Sequence, residues 1–161
     1  MKIEKAIFAC VCFWGVQHQM ERATGVINTT VGYTGGEEQN PTYPEVKAHK
    51  TGHAEAVLVE YDAEKTSYTE LCKLFFEIHD PAQTDGQGPD IGPQYRSEIF
   101  YLNDTQKQEA EAVIKILREK GHEVNTRLTP ASTFWPGEEY HQHYYDKTGG
   151  EPYCHIRIRK F

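Results

Sequence analysis

The stretch that decides the fold covers residues 6–25 and reads AIFACVCFWGVQHQMERATG. Its first four residues form a short apolar run that ends at a cysteine, which is typical of a buried strand. From Phe13 onward, Val16 and Met20 keep the spacing of one helix face, and the final Thr-Gly pair is a helix stop signal. The stretch therefore predicts a strand that passes into a helix, with Cys12 at the junction.

Further along the chain, strand and helix patterns alternate with long irregular segments. Strands are predicted over 26–33, 54–59, 97–102 and 155–159, helices over 71–78 and 105–117, and irregular segments over 37–51, 80–94 and 133–150. Thr105 and Gln108 resemble a capping box at the start of the second helix. The long insertions and the late helix favour an α+β fold over a regular doubly wound sheet. We expect a two-layer sandwich in which helices pack on a mixed β-sheet with a ferredoxin-like core and long irregular loops.

Length and charge narrow the function classes. The 161 residues contain no linker, repeat or low-complexity tract, so residues 1–161 are expected to form a single domain. Lys and Arg number 17 against 24 Asp and Glu, and this net charge of −7 argues against a nucleic-acid partner. No run approaches the roughly 18 apolar residues of a membrane span. The charged N-terminus does not resemble a secretory signal, so we expect a cytoplasmic protein with no membrane partner.

The cysteines and histidines offer possible metal ligands. The four cysteines are Cys10, Cys12, Cys72 and Cys154. The first two form C-x-C, but no second pair completes a zinc-binding pattern, and reactive or buried thiols fit a cytosolic chain better than a disulfide framework. Cys72 adjoins a predicted apolar helix face and is expected in the core. His141, His143 and His155 form a second possible ligand set, but solvated or hydrogen-bonding roles are more common, so no metal site is expected.

Two positions suggest catalysis without settling it. A thiol at a helix N-terminus faces unpaired N–H groups, which favour the nucleophilic thiolate of Cys12, although a buried, inert cysteine among core aromatics fits the same pattern. Glu55 lies inside a strand suited to the core, where a half-buried carboxyl tends to hold a proton and can act as a general acid. The alternative is that Glu55 lies on the solvent face of that strand.

Four segments together resemble a known family. They are FACVCFWG at 8–15, GHAE at 52–55, QGPDIGPQYRS at 87–97 and EEYHQ at 138–142. In this order they resemble the type A methionine sulfoxide reductases, and the resemblance extends from about Ile7 to Ile156. The resemblance implies the α+β fold expected above and a repair reaction on oxidised methionine.

The resemblance also implies roles for individual residues. Cys12 attacks the sulfur of a methionine (S)-sulfoxide, free or within a protein, while Phe13 and Trp14 hold its S-methyl group. Glu55 protonates the sulfoxide oxygen. The same oxygen is hydrogen-bonded by two tyrosines that match the family pattern, with an acidic residue nearby; these are Tyr43, Tyr95 and Asp90. From the residues alone, ordinary packing would explain the tyrosines equally well.

The reaction leaves a sulfenic acid on Cys12, which a second thiol condenses with to form a disulfide. The first choice is Cys154, which lies in a Gly-rich tail where the family often keeps its resolving cysteine. The alternative is Cys10, but strand neighbours two residues apart are about 6–7 Å from each other and need a local bend to bond. Cys10-Val11 also stands where the family usually has two glycines. A thioredoxin-like dithiol protein is the expected reductant, and no bound cofactor is expected.

Two functions from other classes remain compatible with the residues. One is a module that binds oxidised methionine through Phe13 and Trp14 without turnover. The other is a peroxide-sensing thiol protein, since an exposed low-pKa cysteine suits that role too.

Overall fold

The structure, a computed structural model, describes residues 2–10, 12–37, 39–47, 51–83, 86–87, 90–91, 93–149 and 157–161, with the backbone alone at 86–87, 90–91 and 93. The strands are β1 (Ile3–Ala9), β2 (Val26–Thr34), β3 (Ala54–Asp62), β4 (Gly86–Gln87), β5 (Asp90–Ile91), β6 (Glu98–Tyr101), β7 (Arg127–Pro130) and β8 (Trp135–Pro136). The helices are α1 (Phe13–Glu21), α2 (Tyr43–Lys47), α3 (Tyr68–Glu77), α4 (Asp104–Glu119) and α5 (Tyr144–Thr148), with 3₁₀ turns at Pro93–Tyr95 and Glu139–His141.

Six strands form one mixed sheet in the order β7-β6-β1-β3-β2-β8. Strand β1 lies antiparallel between β3 and β6, β2 is antiparallel to β3, and β7 runs parallel to β6 at the edge. The inner order β6-β1-β3-β2, with α1 after β1 and α3 after β3, is the split βαβ arrangement of the ferredoxin-like fold. The predicted α+β fold class is therefore confirmed.

The alternation along β1 divides its side chains between two apolar layers. Ala6, Phe8 and Cys10 belong to the main core, which α1, α3 and α4 cover with residues such as Phe13, Met20, Phe75 and Leu117. Ile7 and Ala9 face a smaller cluster on the opposite side of the sheet. Both faces of the central strands are thus buried.

Several local predictions were wrong or incomplete. The N-cap of α4 is Asn103, whose side chain accepts a hydrogen bond from Gln106 N at 2.9 Å, so Thr105 does not cap the helix. Strand β7 was not predicted, and the segments predicted to be irregular contain α2, α5 and three two-residue strands. Residues 157–161 lie in no strand, and the rest of the strand predicted over 155–159 falls outside the described residues.

None of the helices in the described part of the chain combines the length and the apolar character needed to span a bilayer.

Candidate active site

Cys12 lies where the sequence placed it, at the start of α1. Its backbone is extended, with φ −79° and ψ 128°, and its carbonyl accepts the first helical hydrogen bond from Val16 N at 3.4 Å. The residue is 7% exposed, so it is nearly enclosed by its surroundings. A thiol at this position faces the positive end of the helix dipole, which favours the thiolate.

Glu55 lies against the same helix end. The carboxylate Oε1 accepts a hydrogen bond from the backbone N–H of Phe13 at 3.3 Å, and the residue is only 1% exposed. Along β3, Glu55 shares its face with Val57 and Val59, both of which belong to the main core. The interpretation that placed Glu55 on a solvent face is therefore wrong, and a buried carboxyl adjoins the residue that follows Cys12.

Four aromatic side chains pack together at this helix end, and we call them the ring cluster: Phe13, Trp14, Tyr43 and His141. The ring of Tyr43 lies 6.3 Å from that of Phe13 and 6.5 Å from that of Trp14, between centroids. Phe13 is fully buried, while Trp14 and Tyr43 are half-buried. The structure thus brings Tyr43 from a distant part of the chain to the aromatic pair beside Cys12.

For the remaining predicted site residues, the structure gives fewer contacts or only part of the residue. Tyr95 is half-buried and packs against the main core, on a 3₁₀ turn that contacts β3, the strand of Glu55. Asp90 lies in β5, but its side chain is outside the described part of the chain, as is all of Cys154. Cys10 has no exposed surface.

Cys72 is a core residue, as predicted. It is fully buried on α3, and burial raises the pKa of its thiol far above the ordinary value. A thiol held in this protonated form is a poor nucleophile.

Sequence reasoning gave no role to Glu138, although the segment that contains it was quoted in the family resemblance. The structure shows that Glu138 Oε1 accepts from the Tyr33 hydroxyl at 2.8 Å and that Oε2 accepts from the backbone N–H of Tyr43 at 3.0 Å. Burial alone raises the pKa of Glu138, but these hydrogen bonds outweigh it and leave the pKa below its ordinary value. Glu138 therefore fixes the backbone position of Tyr43. No local sequence pattern distinguishes this carboxylate from its exposed neighbour Glu139.

The sequence offered His141 only as a possible metal ligand or as a solvated or hydrogen-bonding side chain. Its Nδ1 accepts a hydrogen bond from Trp14 Nε1 at 2.8 Å, and the residue is 1% exposed. Burial lowers the pKa of His141 and so favours the neutral ring. The negative charge of nearby Glu138 acts in the opposite direction but is the smaller effect. The segment 138–142 thus forms hydrogen bonds to two members of the ring cluster, Tyr43 through Glu138 and Trp14 through His141.

Two of the three histidines considered as metal ligands have other partners in the structure. His141 bonds Trp14, the Nδ1 of His143 lies 2.7 Å from Glu21 Oε2, and His155 falls outside the described residues. A different group, His18, Glu21 and Asp146, has its ligand atoms within 4.8 Å of one another. The guanidinium of Arg22 already pairs with both carboxylates of that group, at 3.0 and 2.8 Å.

The chain resembles known proteins over almost its whole length. A family model described as peptide methionine sulfoxide reductase matches residues 4–161. The peptide methionine sulfoxide reductase MsrA of Acinetobacter baumannii (strain AYE) is 43% identical over 156 residues, which cover 97% of this chain and 90% of that protein.

Solved structures agree with this similarity. Mxr1 from Saccharomyces cerevisiae in its reduced form superposes with a TM-score of 0.92 at 33% identity, covering 98% of this chain and 93% of the yeast chain. A structure of Mxr1 in complex with Trx2 matches with a TM-score of 0.66 at 23% identity, covering 98% of this chain and 91% of that one, and supports the fold alone.

Proposed function

The chain belongs to the peptide methionine sulfoxide reductase family, and we propose that Cys12 is the nucleophile and Glu55 the general acid of its reaction. Its relatives are type A enzymes. The chain accordingly reduces methionine (S)-sulfoxide, free or in proteins, to methionine at the expense of thiols, and so repairs oxidised proteins.

The hydrogen bond between Phe13 N and Glu55 Oε1, at 3.3 Å, is the observation that carries this proposal. Because Phe13 directly follows Cys12, the thiol and the carboxyl share one helix end beside the ring cluster. A nucleophile, a buried carboxyl and an apolar wall in one place suit attack on a sulfur that bears a methyl group and an oxygen.

In the proposed first step, Cys12 Sγ attacks the sulfoxide sulfur while Glu55 donates a proton to the oxygen. The oxygen leaves the substrate and ends on Cys12 as a sulfenic acid, so the substrate sulfur gains two electrons and the cysteine sulfur loses two. Tyr43 and Tyr95 donate hydrogen bonds to the oxygen as charge develops on it, and Asp90 completes the polar side of the site.

In the second step, the thiol of Cys154 condenses with the sulfenic acid, which forms an S–S bond and releases water. Cys10 is the weaker candidate because its side chain has no exposed surface. A thioredoxin-like dithiol protein then reduces the disulfide and is oxidised in turn. Support comes from yeast Mxr1, 33% identical to this chain, which has also been solved in complex with Trx2. We further propose a single catalytic domain in the cytoplasm, where reducing conditions keep cysteines as free thiols.

The first experiment measures consumption of each methionine sulfoxide epimer with dithiothreitol as reductant. We expect turnover of the S epimer alone, none for Cys12→Ser, and a rate lowered by about 10²–10⁴-fold for Glu55→Gln. The matched control is Glu60→Gln, a change on the same strand outside the site, which should leave the rate unchanged. Full activity of Glu55→Gln would exclude the role of Glu55 as general acid. If the wild type binds the sulfoxide without turnover, the protein is a binding module and the proposed enzymatic function is excluded.

The second experiment maps the disulfide by mass spectrometry after one turnover. We expect Cys154→Ser to release one methionine per enzyme and to stop at the sulfenic acid, while Cys10→Ser forms the normal disulfide. A disulfide between Cys10 and Cys12 in the Cys154→Ser variant would transfer the resolving role to Cys10.

A further inference from the structure

His141 makes contacts with every other member of the ring cluster. Its ring centroid lies 4.3 Å from that of Tyr43, 5.2 Å from Phe13 and 5.5 Å from Trp14. In contrast, Trp14 is half-buried and lies at the first turn of α1, where its indole can adopt more than one rotamer. The position of the indole therefore depends on what holds its polar edge.

The hydrogen bond between the two residues fixes the state of the imidazole. An indole N–H can only donate, so Nδ1 of His141 must accept, and the neutral ring must carry its proton on Nε2. An imidazolium has two donors and no acceptor, so it cannot make this bond. Nε2 has no hydrogen-bond partner among the described residues, which leaves Trp14 as the group that selects the tautomer.

The residues that follow His141 are hydrogen-bonded to both β2 and α1. The side-chain amide of Gln142 bonds the backbone of β2, and the backbone N–H of His143 donates to Gln17 Oε1 of α1 at 2.6 Å. Gln142 donates to and accepts from the backbone of Val31, with both hydrogen bonds at 3.0 Å, and also donates to Gly137 O at 3.1 Å. The backbone N–H of His141 donates to Glu138 O at 3.0 Å. The segment that carries the imidazole is thus held from two sides, by β2 and by α1, and the indole of Trp14 is aligned against it.

One face of the indole is covered by a second aromatic ring. Tyr144 of α5 stacks on Trp14 with centroids 3.8 Å apart and planes within 9°. Stacking fixes the plane of the ring but allows it to slide or turn within that plane, whereas a hydrogen bond at Nε1 removes this freedom. The stacking contact and the hydrogen bond together define one position for the Trp14 indole.

We propose that His141 is a positioning residue that sets Trp14 as the wall of the methyl slot and thereby sets the enzyme's preference for an S-methyl over a larger S-alkyl sulfoxide. This inference rests on the proposed function, because it gives Trp14 the methyl-holding role. A rigid pocket can distinguish one methylene by about tenfold or more, and a wall that is free to move loses that discrimination.

Two variants of similar size and polarity test the hydrogen bond. Asn at 141 places an amide oxygen near the position of Nδ1, so His141→Asn can still accept from Trp14, while His141→Gln carries its amide one bond further, toward the position of Nε2. His141→Phe keeps a ring but has no acceptor. Unfolding midpoints in urea establish that each variant is folded before it is assayed.

The first readout is the ¹⁵N-indole NMR signal of Trp14, assigned by its persistence in Trp135→Phe, since the chain has two tryptophans. We expect slow hydrogen exchange of this N–H in the wild type and in His141→Asn, and fast exchange in His141→Gln and His141→Phe. Equal exchange rates in the wild type, His141→Gln and His141→Phe would overturn the proposal.

The second readout is the ratio of kcat/KM for methionine (S)-sulfoxide to that for ethionine (S)-sulfoxide, its S-ethyl analogue. We expect the ratio to fall by about tenfold in His141→Gln and His141→Phe and to return in His141→Asn. A lower activity with an unchanged ratio would show a merely structural role and refute the inference. A wild type that reduces neither compound would refute the proposed function itself, so the two failures are distinct.

Discussion

Replacing Glu138 by alanine should destabilise the protein through the two hydrogen-bond donors that its carboxylate accepts from, the Tyr33 hydroxyl and the Tyr43 backbone N–H. The change leaves the hydroxyl of fully buried Tyr33 without its acceptor, which costs about 1–3 kcal/mol, and removes a hydrogen bond from Tyr43 N–H to a charged group, worth about 1.5–3 kcal/mol before water replaces it. The third donor, the Tyr140 hydroxyl at 3.3 Å, is exposed and contributes little. We expect the free energy of unfolding to fall by about 2–4 kcal/mol, measured by urea denaturation at pH 7.

A double-mutant cycle isolates the buried part of this effect. Tyr33→Phe removes one donor and leaves Glu138 with the other two, so it should cost about 1 kcal/mol. In the absence of Glu138, the same change should cost nothing or should stabilise the protein, because it removes an unsatisfied hydroxyl. The coupling energy is therefore expected to be at least 1 kcal/mol. Additivity within about 0.5 kcal/mol would refute the assignment of Glu138 as the acceptor of Tyr33.

The pH dependence of the same variant has a defined sign. The folded-state pKa of Glu138 lies below the unfolded value, so its contribution to stability is fully present above the unfolded pKa of about 4.3 and is lost as pH falls through the folded pKa. The stability gap between wild type and Glu138→Ala should stay constant from pH 7 to about 5 and narrow below about 4. A gap that widens in acid would contradict the carboxylate's role.

Two substitutions and one labelling experiment test the packing around the site. A Cβ at Gly36 would overlap the carbonyl oxygen of Thr51, so Gly36→Ala should cost about 1–3 kcal/mol in urea unfolding, because rigid backbone must move; a neutral substitution would contradict this packing. Cys72 is fully buried, and burial raises the pKa of its thiol, so it should resist iodoacetamide at pH 8 in the native protein and react only in denaturant. Intact-mass measurements would show this, and labelling of the native protein would place Cys72 near the surface. Glu98→Ala leaves the guanidinium of Arg96, now paired at 2.6 Å, without its carboxylate, and should cost about 3–5 kcal/mol in the same unfolding assay, whereas a cost below about 1 kcal/mol would mean that the pair is solvated.

The strand-to-helix junction at Cys12 was predictable because two periodicities meet there. An apolar run followed by residues at helical spacing has few other solutions, and the structure has β1 and α1 on either side of the cysteine. The sequence could not decide the location of Glu55, since alternation indicates a solvent face only when one face of the sheet is wet. Here Ala54 and Ala56 on the other face are also fully buried, so both sets of residues along β3 look alike.

The missed elements are short. Helices α2 and α5 have five residues each, fewer than two turns, and β7 has four partly exposed residues, so none of them carries enough residues to show a period. Tertiary contacts define them instead: β7 pairs in parallel with β6, and Tyr144 of α5 stacks on Trp14. The roles of Glu138 and His141 depend on such contacts too, since their partners Tyr43 and Trp14 lie 95 and 127 residues away in the chain.

The position of Cys10 bears on the resolving step. Cys10 follows Ala6 and Phe8 on the helix-facing side of β1, and both it and Cys12 belong to the main core. A side chain here fills space between the sheet and the helices, so its approach to the Cys12 sulfur would open a cavity and bend the end of β1. We therefore expect the thiol that stands in place of the family's glycine to stay in the core rather than to reach the sulfenic acid. The burial of Cys10 thus favours a resolving thiol from outside the core, in line with the proposal of Cys154.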